Sequence, residues 1–168
     1  WNESPEHVIN DTNLSMCDGL EVYSGARVAK GAEGAVAAPL WDACLSHGLK
    51  FFALGSSDCH TYDFTAPSRP TNGWTVLWLE ELTEAAVFAA LRAGRFYASS
   101  GLEVDEVCVE GGCIRVEAAQ AVRVRFVGRG GKLLKEVAGC AASYEPQASD
   151  GYVRVELDGK GTPFPGAG

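Results

Sequence analysis

The sequence predicts an α/β unit followed by a small antiparallel β unit. Over the first hundred residues strand and helix patterns alternate, which is typical of a mostly parallel sheet packed against helices. From residue 102 onward, apolar and polar residues alternate one by one, as in strands with one wet face. We therefore expect domains at residues 1–101 and 102–158, and a loose tail at 159–168.

Strands and helices of the first unit follow from local patterns. Strands are expected at residues 20–23, 50–54 and 74–79. The Gly- and Ala-rich residues 25–37 are expected to form a loop. One helix has Pro39 in its first turn, and a second runs from a cap at Thr83 to Gly94, because these residue types favour helix starts and ends.

The second unit is expected to consist of hairpins. Val122, Val124 and Phe126 alternate with charged residues, which indicates a strand with one buried face. The pairs Gly111-Gly112 and Gly130-Gly131 are typical of hairpin turns. The arginines of this unit are expected on its wet face; they are Arg123, Arg125 and Arg154.

Composition excludes several classes of function. The 168 residues include 22 acidic and 14 basic side chains, so the net charge of −8 argues against nucleic acid as a partner. No apolar run reaches the roughly 18 residues that cross a bilayer, so we expect no membrane segment. Six cysteines without a Cys-x-x-Cys motif favour a reducing, cytoplasmic location.

A candidate metal site follows the apolar segment that begins at Phe51. Asp58 and His60 come directly after this predicted strand, at the strand end where α/β folds place their sites. Residues two apart in extended chain point the same way, so the carboxylate and the imidazole can converge. Such a pair suits divalent Zn, Mn or Fe. The alternative is a solvated turn in which Asp58 only bonds the backbone.

Five ordered segments resemble the second half of a PHP-domain protein (polymerase and histidinol phosphatase superfamily), in the branch of carbaryl-hydrolase-like metallohydrolases. The segments are Gly19–Gly25, Trp41–Leu45, Gly55–His60, Gly73–Val76 and Leu91–Gly101. The resemblance implies the C-terminal part of a distorted (β/α)7 barrel followed by a small antiparallel β unit. It also implies two or three divalent metals whose bound hydroxide attacks a phosphate ester or another ester.

The resemblance assigns roles to particular residues. Asp58 and His60 match the last motif of the family, where both are metal ligands and catalytic. Glu21 lies in a segment that matches a strand lining the site; it could face the metals or be a paired carboxylate at the rim. From their residue type, Arg69 and Arg95 are candidates for binding an anionic substrate, with solvated or salt-bridged arginines as the alternative.

The ligand set is incomplete in this chain. The family opens with His-x-His and takes more ligands from intermediate strands, whereas this sequence has only three histidines. We expect either the C-terminal part of a longer enzyme, whose partner is the missing N-terminal half of the barrel, or a degenerate PHP-like scaffold or binding module. The leading hypothesis is a metal-dependent phosphoesterase that uses metal-activated water on a small phosphoester or other ester.

Overall fold

A computed structural model describes residues 4–11, 16–32, 36–63, 65 and 72–161. The helices in these ranges are α1 (Pro5–Asn10), α2 (Gly25–Ala29), α3 (Ala38–Ser46) and α4 (Glu84–Ala93). The strands are β1 (Gly19–Ser24), β2 (Phe52–Ser56), β3 (Trp74–Leu77), β4 (Phe96–Ser99), β5 (Glu106–Glu110), β6 (Cys113–Glu117), β7 (Ala121–Gly128), β8 (Lys132–Ala138), β9 (Ala141–Tyr144) and β10 (Arg154–Gly159). No helix within these ranges has both the length and the apolar character that a bilayer crossing needs.

The strands of the described ranges form four small sheets. β1 and β2 pair in parallel. The other three sheets are antiparallel; their strand orders are β3-β4, β5-β6-β9 and β10-β7-β8. The sheets do not close into a barrel in the described part of the chain, and strand outweighs helix. The predicted C-terminal part of a (β/α)7 barrel is therefore wrong.

The path of residues 78–95 explains why the prediction of a mostly parallel sheet fails. A parallel crossover needs its helix to carry the chain back to the far end of the sheet. Here the amide of Trp78 donates to the carbonyl of Arg95 at 3.0 Å, so the segment that contains α4 leaves and returns at the same end. β4 consequently runs antiparallel to β3, with Leu77 opposite Phe96.

Several local predictions are confirmed. The side chain of Thr83 accepts a hydrogen bond from the amide of Ala86, and Gly94 ends α4 in the left-handed region at φ 67°. Gly111 and Gly112 join β5 to β6 with φ of 57° and 81°, as a two-residue hairpin turn with two left-handed positions requires. The predicted loop at 25–37 is wrong at its start, where α2 forms.

Each half of the chain has its own buried cluster. In the first half, Val8, Cys44 and Phe51 bring α1 and α3 against the segment that leads into β2. In the second half, Val124 and Phe126 of β7 are fully buried and pack with Val116 of β6. These two clusters are the apolar cores that hold the short sheets together.

A buried ion pair joins the two halves. Arg154 of β10 donates from Nε to Oδ1 of Asp42 at 2.7 Å and from Nη2 to Oδ2 at 2.8 Å, a bidentate contact with α3. The Arg154 guanidinium also lies 5.5 Å from the ring centroid of Trp41 and contacts Glu156. Only 8% of the Arg154 side chain is exposed, so its predicted place on the wet face is wrong.

Tyr152 completes the polar contacts of Asp42. Its hydroxyl donates to Oδ1 of Asp42 at 2.6 Å. Burial raises the pKa of the Tyr152 hydroxyl, and the hydrogen bond to Asp42 raises it further. Burial lowers the pKa of Arg154, but the hydrogen bonds to Asp42 and Glu156 outweigh it and raise that pKa overall. The fold therefore favours a charged Arg154 beside an uncharged Tyr152.

Replacing Asp42 tests the energetic role of this ion pair. Asp42→Asn leaves the buried Arg154 with Glu156 alone, and we expect the free energy of unfolding to fall by about 2–4 kcal/mol in urea denaturation. The matched control is Glu136→Gln, which removes a half-exposed partner 3.8 Å from Arg123 and should cost at most about 1 kcal/mol. Equal losses in the two variants would contradict a structural role for the buried pair.

Alkaline pH tests the position of Tyr152. Below about pH 10 its hydroxyl is protonated in both the folded and the unfolded chain. Above this pH the unfolded chain loses the proton first, because the folded pKa is raised. Stability is therefore lost as pH rises from about 10 through the folded pKa, by at most about 1.4 kcal/mol per pH unit for this group.

The measurement is the free energy of unfolding between pH 8 and 11. Burial also raises the pKa values of Tyr97 and Tyr144. The free energy of unfolding should therefore still decline at alkaline pH when Tyr152 is replaced. Tyr152→Phe should be less stable at pH 8 but should decline less steeply above pH 10. An unchanged slope in Tyr152→Phe would show that this hydroxyl does not titrate differently in the two states.

Candidate functional site

The candidate site lies where the parallel strands β1 and β2 end. Ser24 and Ser56 are the last residues of the two strands and lie opposite each other in the register. Asp58 and His60 follow β2 within four residues of its end. The pairing therefore brings two strand ends together beside the predicted ligands, in keeping with the usual place of sites in parallel sheets.

Asp58 and His60 lie close together, but through a turn rather than through the extended chain that the sequence prediction assumes. Nε2 of His60 lies 3.3 Å from Oδ1 of Asp58. The other carboxylate oxygen, Oδ2, accepts a hydrogen bond from the Ser24 hydroxyl at 3.4 Å. The His60 side chain is 84% exposed and that of Asp58 is 36% exposed, so the pair is open to solvent and to an incoming ligand.

The backbone of Asp58 adopts an unusual conformation. Its φ of 49° makes it the one non-glycine residue with positive φ in the described ranges. This left-handed region costs most residues about 1–2 kcal/mol, although Asp tolerates it better than most. Such strain occurs often at functional sites, where a side chain must point in a fixed direction. At Asp58 the turn directs the carboxylate back toward Ser24.

Glu21 does not complete a three-ligand group. It lies on β1 opposite Leu54, and its carboxylate accepts a hydrogen bond from the Ser56 hydroxyl. Among the residues that the structure describes, no group of three or more His, Cys, Asp or Glu side chains is placed to hold a metal ion. Glu21 is thus a paired carboxylate beside the strand ends, and its predicted role as a metal ligand stays a prediction.

Of the two predicted arginines, only Arg95 is described, and it lies far from the pair. Arg95 is exposed and directly precedes β4. The next residue, Phe96, packs on Phe52, which is the first residue of β2. Asp58 follows the opposite end of β2, about 13 Å farther along the strand at about 3.3 Å per residue. Arg69 lies outside the described residues. The described part of the site thus contains no arginine from the predicted set.

Whether Asp58 and His60 suit a metal can be judged from their separation. Ligand atoms lie about 2.0–2.2 Å from zinc, so neighbouring ligands at the tetrahedral angle are about 3.3–3.6 Å apart. The observed 3.3 Å between Nε2 and Oδ1 fits two adjacent ligand positions. One oxygen and one nitrogen also match the preferences of Zn, Mn and Fe. The pair fits part of a metal site, and further donors are needed to complete it.

Two serines at the strand ends were missed in the sequence. Ser24 contacts the Asp58 carboxylate, and Ser56 contacts that of Glu21. The available signal was the occurrence of Ser-Gly and Gly-Ser-Ser directly after two apolar strands. A hydroxyl that hydrogen-bonds a carboxylate helps to fix its orientation, so Ser24 belongs to the candidate site beside Asp58 and Ser56 lies next to it on Glu21.

Comparison with protein-family models, curated proteins and solved structures found no significant match to this chain. The resemblance to PHP domains stays a prediction that rests on the order of the sequence motifs. The geometry of the strand ends is independent of that resemblance.

Substitutions at Asp58 separate backbone strain from side-chain function. Asp58→Gly removes the strain, so the free energy of unfolding should stay equal or rise by up to about 1 kcal/mol. Asp58→Val places a β-branched side chain at positive φ and should cost about 2 kcal/mol. Cys59→Val is the control, since its φ is not positive. Equal losses for the two valine variants in urea denaturation would contradict strain at Asp58.

Proposed function

We propose that this chain belongs to a metal-dependent hydrolase in which Asp58 and His60 are metal ligands. The observation that carries the proposal is the 3.3 Å approach of their two donor atoms just past the end of a parallel strand. The PHP-like motif order supports the same residues independently. The barrel of that family is not part of the proposal, because the described strands are mostly antiparallel.

The roles of the residues follow from their contacts. Asp58 supplies a hard oxygen and His60 an imidazole nitrogen, and Ser24 orients the carboxylate through its hydroxyl. A bound divalent metal makes hydroxide available near neutral pH and offsets charge that develops on the attacked group. The open surface around His60 leaves room for a substrate to approach the pair.

In this proposal, the remaining metal ligands lie outside the Asp58–His60 pair. Two side chains do not hold a divalent metal firmly, and stable protein sites use three or four. We assign the other positions to a segment N-terminal to these motifs, as the resemblance implies, and to water or substrate oxygens. Two or three metal ions, Zn, Mn or Fe, would then share the complete site.

A small phosphoester is the proposed substrate, with carboxylic or carbamic esters next in order. The net charge of −8 disfavours a polyanion at long range, but bound cations dominate the field close to them. We also propose that the protein is cytoplasmic. It is supported by the free thiols of the described chain, which are Cys44, Cys59, Cys108, Cys113 and Cys140.

Metal titration of single variants tests the ligand assignment. The titration uses the protein that includes the N-terminal segment with the remaining ligands, and there we expect Zn²⁺ or Mn²⁺ binding by calorimetry to weaken at least tenfold in Asp58→Asn and in His60→Gln. The matched controls are His47→Gln, whose ring contacts the Ala43 carbonyl at a helix end, and Asp105→Asn, whose carboxylate accepts from Ala119. Both controls should bind metal like the unaltered chain.

Turnover distinguishes the hydrolase from the alternative. With metal added, hydrolysis of p-nitrophenyl phosphate and bis(p-nitrophenyl) phosphate should fall in the two ligand variants and not in the controls. If metal content and turnover are unchanged in both ligand variants, the assignment is wrong. If the protein that includes the N-terminal segment with the remaining ligands binds no metal and has no turnover, the alternative of a non-catalytic scaffold or binding module holds.

A further inference from the structure

A cavity of about 580 Å³ lies between the two halves of the chain, apart from the candidate metal pair. One side is formed by β2 and β4 with the end of β1, and the other by β10 together with Val107 and Val116. The volume lies within the range of roughly 300–1,000 Å³ that small-molecule sites occupy. Asp58, His60 and Glu21 do not line it.

The lining is chiefly apolar and aromatic. Phe52 and Phe96 meet edge to face with ring centroids 5.5 Å apart, and Trp78 and Tyr97 lie 5.0 Å apart. All four rings line the cavity, as does Trp41 of α3. Several aromatic rings in one lining favour a flat ligand that can stack on them or meet their edges.

The charged groups on the cavity lining are already paired with one another. Arg154 is held by Asp42 and Glu156, as described above. Nη2 of Arg125 lies 3.1 Å from both Glu156 and Asp158. Nε of Arg125 has no partner in the described ranges, but it is enclosed by protein and a ligand cannot reach it. The lining thus has two cations and two anions in mutual contact.

This charge balance selects against an anionic ligand. An anion entering the cavity would lose its hydration without gaining an unpaired cation, which is costly in apolar surroundings. The net charge of −8 opposes it at longer range. An uncharged ligand meets neither penalty and gains from burial of its apolar surface.

We propose that the cavity between the two halves is a binding site for an uncharged aromatic small molecule. The ligand lies among the rings of β2 and β4 and contacts Val107 at the edge of β5. This site is separate from the metal pair, and the proposal does not depend on the hydrolase function.

Two dyes with the same aromatic body test the proposal on the unaltered chain. N-phenyl-1-naphthylamine is neutral, whereas 8-anilino-1-naphthalenesulfonate carries one negative charge. We expect the neutral dye to bind saturably, at one per chain, with enhanced emission and quenching of tryptophan fluorescence. The anionic dye should bind at least tenfold more weakly. Equal or tighter binding of the anionic dye, or the lack of saturation, would overturn the proposal.

A pair of variants on β5 locates the site. Val107 lines the cavity and is 45% exposed, whereas Val109 lies two residues farther on the same strand face, is 69% exposed and does not line it. Val107→Glu should weaken binding of the neutral dye at least fivefold, and Val109→Glu should leave it within twofold. Equal effects of the two variants would place the dye on the exposed edge of β5 and refute the cavity site.

Discussion

The bidentate contact between Asp42 and Arg154 determines how the two halves of the molecule are joined. Each half has a separate apolar cluster, and the two clusters have no residue in common. The ion pair spans them from α3 to β10 over more than a hundred positions of sequence. A buried pair adds little net stability over an apolar contact, but its removal leaves an uncompensated charge, so it selects one arrangement of the halves.

The short parallel pairing of β1 with β2 has a comparable role at the candidate site. Strands that end side by side bring Ser24 to the Asp58 carboxylate, although these residues are 34 positions apart. The left-handed turn at Asp58 then orients that carboxylate at the expense of backbone strain. A glycine would relieve the strain but would remove the oxygen, which favours a functional reason for the aspartate.

Local sequence signals predicted several local features correctly. The predictions failed where contacts between distant segments determine the structure. Thr83 and Gly94 define the ends of α4 because capping depends on residues within one turn. The direction of β4 depends instead on where the chain returns after α4, which no local pattern contains. Likewise, the alternation of residues placed Arg154 on the polar face of β10. It could not show that α3 covers this polar face. Asp42 within an apolar helix pattern was the available signal for a buried partner.

The candidate metal pair could be predicted from the sequence, whereas the cavity could not. Asp58 and His60 are two residues apart, so the sequence could suggest that they lie close together, but the left-handed turn at Asp58 that the structure shows is not the extended chain on which that prediction rests. The cavity is bounded by residues of both halves, which the Asp42–Arg154 contact helps to hold together, so it depends on contacts between distant parts of the chain. The same contact determines its ligand chemistry, because a guanidinium held by Asp42 and Glu156 has no charge left for an anion. The ion pair that joins the two halves therefore also contributes to the charge balance on which the proposed preference for an uncharged ligand rests.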